Sequence, residues 1–156
     1  MTERSIEQLW SESLVQFDQY HHLLNKMLTD YRADLVPWLE KVLFSRPDMP
    51  LALLVVDKLS IEEKKLLFPS LVLLASKTVP HTVTVRNIVT SLPRDWVLRN
   101  VERVAKGILE QGDAETCRRI LELYSELDKT LLFRECRELS NSSRPDLQSV
   151  AAEFTG

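Results

Sequence analysis

The residues of this chain best suited to chemistry fall in three places. These are His21 and His22 with Asp18 before them, the thiols of Cys117 and Cys136, and the cations Arg99, Arg103 and Lys106 beside Trp96. Neighbouring histidines on a helix point about 100° apart, so the pair does not converge on one ion. Asp18 and His22, at i,i+4, would be two ligands of a site that needs more from other segments. The reading is that His21 sits on an apolar side with Phe17 and Leu24, while His22 faces solvent. Cys117 and Cys136 lack metal-ligand spacing and fall at inward positions of adjacent predicted helices. They read as buried free thiols, with a disulfide between the two helices as the alternative. No metal and no cofactor is expected.

Arg99, Arg103 and Lys106 recur at helical spacing, with Arg94 upstream. Trp96, Asn100, Arg103 and Gly107 lie opposite the face of Leu98, Val101, Ala105 and Ile108. Two readings follow. Trp96 packs against a second neighbouring helix, with Gly107 allowing close approach, or Trp96, Arg99, Arg103 and Lys106 form a partner-binding patch, since Trp and Arg are enriched at interface hot spots. Other charges, such as Glu115 with Arg119 and Arg134 with Glu138, read as solvated i,i+4 pairs.

Catalytic signatures are absent from the sequence. There is no Gly-rich phosphate loop, nucleophile elbow, His-Glu-x-x-His or Cys-x-x-Cys. Carboxylates are scattered, so no pair stands out for general acid–base work. The expectation is a protein that is not an enzyme; an enzymatic site would have to gather Asp18, His21 or His22 with groups from another helix. The net charge of −3 is spread evenly, with 9 basic and 11 acidic residues before Val79 and 11 and 12 from it onward. No polybasic segment is present to neutralise phosphates, which makes nucleic acid an unfavoured partner. No run approaches the ~20 apolar residues that cross a bilayer, and the N-terminus has no signal core, so a cytoplasmic protein is expected.

The elements that must position these residues are helices. The chain has 156 residues, 44% hydrophobic, with only three glycines, and reads as one domain over 1–156. Ser5 with Gln8 makes a capping box, and Ile6, Leu9, Trp10, Leu14, Phe17, Tyr20, Leu24, Met27, Leu28 and Tyr31 form the apolar face of a helix of about seven turns. Asp34 is the expected cap of a second helix with Pro37 in its first turn, and the prolines at 47 and 50 end it. Residues 51–59 and 71–75 are apolar nearly all round. Such short runs fit buried strands or helices; Leu and Ala content and a second capping box, Ser60 with Glu63, favour helices, with Pro69 splitting the segment after 61. This middle third should be the most buried. Residues 78–85 alternate Thr and Val and read as an extended loop before a short helix. From Pro93 a helix runs to Gly112, a candidate left-handed terminator. Asp113 and Asp128 then cap two more, and Pro145 begins the last.

The segment from Asp113 to Leu123, the turn to Asp128, the helix to Leu139 and the stretch Arg144 to Phe154 resemble HEAT-type or armadillo-type helical repeats. The step from Asp113 to Asp146 matches one repeat of ~33 to ~47 residues. The resemblance implies an all-α, multi-helix, right-handed α-solenoid-like array at 93–156 joined to an irregular helical half at 1–92, with an irregular helical bundle as the alternative. It also implies a non-enzymatic protein-interaction or scaffold module that presents a helical surface to a protein partner without cofactor. The alternative function is a nucleic-acid-associated helical repeat protein using the basic and aromatic patch around Trp96.

Overall fold

The Ser5 hydroxyl accepts a hydrogen bond from the Gln8 backbone N–H (3.2 Å) and the Gln8 side chain accepts from the Ser5 N–H (3.0 Å), so both orphan donors at this helix start are satisfied. The helix that follows, α1 (Ile6–Asp30), is the longest in the structure, a computed structural model that describes residues 4–77 and 80–156. Nine more helices come after it: α2 (Arg32–Val42), α3 (Met49–Asp57), α4 (Ile61–Leu66), α5 (Phe68–Ala75), α6 (Thr82–Ser91), α7 (Arg94–Gln111), α8 (Ala114–Leu127), α9 (Lys129–Ser140) and α10 (Pro145–Thr155). The described residues contain no strand, so the apolar runs at 51–59 and 71–75 are helical.

Local chemistry sets most of the boundaries. The Ser60–Glu63 box opens α4, and Pro50, Pro69 and Pro145 occupy first turns, where a missing N–H costs nothing. Asp113 accepts from the Thr116 N–H (2.8 Å) and Asp128 from the Leu131 N–H (3.0 Å). These hydrogen bonds hold both carboxyls below their ordinary value of 3.8. A depressed folded-state pKa gives stability that is complete above the unfolded value and is lost as pH falls through the folded one. The double variant Asp113→Asn, Asp128→Asn keeps neutral caps, so its thermal midpoint should change little at pH 7 and fall less steeply than wild type below about pH 4.

The core sits where apolar residues crowd every side of a helix. In α5 the side chains of Phe68, Leu71, Val72, Leu74 and Ala75 are buried, and this helix packs on α4, α6, α7 and α8. In α3, Met49, Ala52, Leu53, Val55 and Val56 are buried too, as expected for the middle third. α8 is as deeply placed, through Cys117, Ile120, Leu121, Leu123 and Tyr124. Each fully buried side chain of this kind contributes about 1.5–3 kcal/mol of transfer free energy. Ion pairs tie the layers together: Arg86 on α6 reaches Glu122 (2.6 Å) and Glu126 (3.0 Å) on α8, and the Arg118 guanidinium holds Glu153 of α10 with two 2.8 Å bonds.

Several sequence expectations are corrected. α2 begins directly after α1 at a bend on Tyr31, so Asp34 is not its cap and Pro37 lies inside it. The Thr82-to-Val85 alternation is helical because Val85, Ile88 and Val89 recur on one buried face; residues 78 and 79 of that expected loop lie outside the described residues. Gly112 has φ −76° and ψ 156°, an extended conformation. Its lack of a side chain serves close approach instead: a Cβ there would meet the Ile108 carbonyl oxygen at 2.7 Å and Thr116 Cγ2 at 2.8 Å. Gly107 is the reverse case. A Cβ at 107 meets nothing within 4 Å, so this glycine permits no close packing and only loosens the middle of α7. Gly107→Ala should stabilise the protein by about 0.5–1 kcal/mol in denaturant unfolding.

Candidate interaction surface

α1 carries the largest departure from expectation. At 1.5 Å per residue its 25 residues extend about 37 Å. The 11 residues of α2 extend about 16 Å and cannot cover it. α1 packs chiefly on α2, and Leu24 is its one buried residue. The rest of the predicted core face is open: Trp10 is 66% exposed and Phe17 59%, and Ile6, Leu9 and Leu14 are exposed with them.

The spacing explains why. Trp10, Leu14, Phe17, His21, Leu24, Leu28 and Tyr31 follow one another at alternating steps of four and three, the seam of a coiled coil. From His21 to Leu28 the seam is partly or wholly covered, with Leu24 buried and His21 and Leu28 half-buried, and it opens again at Tyr31, 54% exposed. Before His21 the same seam continues with nothing on it. His21 stacks edge-on against Phe17 (4.2 Å between centroids) and Tyr20 (5.2 Å), while His22 is exposed. Among the described residues no group of three or more His, Cys, Asp or Glu side chains could hold a metal ion. An exposed coiled-coil seam has a sequence signal, the 4-3 spacing, but an amphipathic core helix displays nearly the same one.

The charge on this free half is one-sided. Between residues 4 and 25 the only lysine or arginine is Arg4, which is engaged by Glu12 at 2.9 Å, leaving Glu7 and Asp18 without a cation.

The four residues proposed from sequence occupy mixed environments on α7. Trp96 is half-buried, its ring edge-on to Phe68 at 5.0 Å with Lys65 Nζ 5.3 Å from its centroid. The Asn100 amide donates to the Trp96 carbonyl (2.7 Å) and Arg103 donates to Asn100 Oδ1 (3.1 Å). Arg99 is exposed, Lys106 borders a cleft beside Glu102 and Glu110, and Arg94 is paired with Asp128 at 2.8 Å. Trp96 thus follows the packing alternative, and Arg99, Arg103 and Lys106 are left at the surface. Arg134 pairs with Glu102 of α7, not with Glu138 one turn along its own helix, whereas Glu115 and Arg119 do pair (2.8 Å).

Cys117 and Cys136 are both buried and free, and burial raises each thiol's pKa so that it is held as S–H; the Cys117 sulfur lies 3.9 Å from the Leu109 carbonyl oxygen. A cleft of about 490 Å³ between α3 and α6 is bordered by Asp57, His81 and Thr84. These three make no hydrogen bond to one another. Among the described residues no helix is long and apolar enough to cross a membrane. Comparison with family models, curated proteins and solved structures returned no match.

Proposed function

We propose that this chain is a non-enzymatic protein-interaction module, with an α-solenoid-like body from which the first half of α1 projects to dock an amphipathic helix of a protein partner. The observation that carries this reading is the uncovered seam at Trp10, Leu14 and Phe17, with Ile6 and Leu9 exposed beside it. Contiguous exposed apolar surface of this kind is uncommon on soluble monomers and marks interaction sites. The solenoid-like body is supported by helix order: α7 packs on α8, α8 on α9 and α10, and α9 on α10, so neighbours in the chain are neighbours in space.

Area and charge choose the occupant. Five such side chains offer on the order of 500 Å² per side, about 1,000 Å² in total, below the 2,000 Å² or more of obligate dimers and in the range of transient partners. Glu7 and Asp18 flank the seam unpaired, so a second copy laid parallel would oppose like charges, whereas a partner helix with lysine or arginine beside its apolar seam complements them.

The test uses two 21-residue peptides with leucine at the seam positions, one flanked by lysine and the other by glutamate. The lysine peptide should bind at least about tenfold more tightly, by roughly the 1.4 kcal/mol that such a ratio represents. Equal affinities would remove the charge argument, and no binding by either would remove the reading. Sedimentation of the protein alone checks for the second copy. The nucleic-acid reading has less support, because Arg94 is committed to Asp128 and Lys106 stands between glutamates. Tight binding to nucleic acid that collapses with rising salt would favour it.

A further inference from the structure

A second site lies on the other half of the molecule. α7, α8 and α9 enclose a cleft of about 340 Å³. α7 contributes Glu102, Lys106 and Glu110 to its wall, with Leu109 as an apolar patch; α9 contributes Arg134, Glu135 and Glu138. Four carboxylates therefore face two cations. Glu102 and Arg134 satisfy each other, while Glu110, Glu135 and Glu138 form no ion pair with any described residue.

Tyr124 of α8 forms the floor of this cleft and is only 1% exposed. Its hydroxyl makes no hydrogen bond to any described residue. The ring is packed, and the hydroxyl, which is not among the buried polar atoms left without a partner, is the part open to the cleft. Burial, together with the nearby Glu135 and Glu138, raises the pKa of this phenol, so the group is held as O–H. Burial and Glu138 likewise raise the pKa of Glu135, with Arg134 acting against them. Glu110 and Glu138 are exposed and Glu135 is half-buried, so the cleft turns three carboxylates and one hydroxyl that bonds no protein group toward a single space.

We propose that this cleft binds the guanidinium group of an arginine side chain presented by a peptide partner. Guanidinium is planar and carries five N–H donors, which need several acceptors around them. Glu135 and Glu138 accept from its fork, Glu110 closes the other side, and the Tyr124 oxygen accepts at the floor. Leu109 meets the aliphatic stem, as long cationic side chains lay their methylenes on apolar surface. An ammonium group has only three donors on a compact head and leaves acceptors unused. This site is independent of α1, which packs chiefly on α2.

The test is a nuclear magnetic resonance titration of the whole chain at low ionic strength with acetyl-Gly-Arg-Gly-amide, and with the same tripeptide carrying citrulline, the neutral isostere, or lysine. The arginine peptide should give saturable shifts at Leu109, Tyr124 and Glu135, with citrulline at least tenfold weaker and lysine in between. Glu135→Gln, Glu138→Gln should weaken arginine binding at least tenfold without lowering the thermal midpoint, because it removes repulsion. Tyr124→Phe, which keeps the buried ring, should weaken it severalfold. The variant Trp10→Ala, Phe17→Ala should bind the tripeptide unchanged, which keeps this site's failure separate from that of the α1 surface. Equal binding of arginine and citrulline, full affinity in the glutamine variant, or no saturable shift would each overturn the proposal.

Discussion

Phe68→Ala is expected to lower the unfolding free energy by about 3–5 kcal/mol, the largest single-residue effect in this chain. Phe68 opens α5, is 1% exposed and presents its ring to the edge of Trp96. α5 is contacted by four other helices, so the space left by the ring cannot close by moving one neighbour. The lost transfer energy and the unfilled cavity therefore add. Phe68→Leu keeps most of the volume and should recover more than half of the loss. Denaturant midpoints of the two variants, at equal slopes, make the measurement. A loss below about 1 kcal/mol would show that the site collapses and that α5 is not the centre of packing. Trp96→Ala should also destabilise, because Trp96 is the far wall of the same contact. Loss of a partner in that variant would report folding rather than recognition, so Arg103→Ala and Lys106→Ala are the cleaner probes of the α7 surface.

The second large effect is of the opposite kind. Trp10→Ala, Phe17→Ala should leave unfolding free energy within about 0.5 kcal/mol of wild type, because both side chains are mostly in solvent before and after the change. The same variant should weaken the lysine-flanked peptide by at least about 30-fold, since aromatic anchors at the middle of a seam carry a large share of binding energy, of the order of 2 kcal/mol each. Calorimetric titration reads the affinity, and chemical denaturation of the same preparation reads stability. A fall of several kcal/mol in stability would show that the seam is covered by the chain's own body, and α1 would then be a core helix. Undiminished peptide binding with normal stability would move the docking surface elsewhere.

How far each element could be read from residues alone depended on how local its cause is. The capping boxes at Ser5 and Ser60 and the caps at Asp113 and Asp128 were legible because a hydroxyl or carboxylate three residues from an N–H is settled within one turn of chain. The Thr82-to-Val85 alternation misled because a period of two over four residues is too short to outweigh Ile88 and Val89 continuing the helical face. Gly112 was correctly placed between two helices but for the wrong reason. Propensity suggests a left-handed terminator, whereas the glycine is required by the Ile108 carbonyl pressed against it.

The candidate sites were less legible. The tryptophan and arginine patch on α7 was chosen from composition, and its tryptophan is drawn into a contact with α5 that no spacing within α7 could reveal. The acidic cleft was missed because Glu110, Tyr124 and Glu135 stand on three helices, far apart in sequence, and only their meeting gives the cluster a meaning.

By itself the sequence determined that this protein is all-helical, where most of its helices begin and which segments are too apolar to face water; these follow from caps, prolines and periodicity acting over one or two turns. Only the tertiary structure decided which apolar faces are covered. α2 is too short to reach the first half of α1, so one continuous apolar seam is covered at Leu24 and Leu28 and open from Trp10 to Phe17. Burial belongs to pairs of elements, and a single helix carries no record of the length of its neighbour.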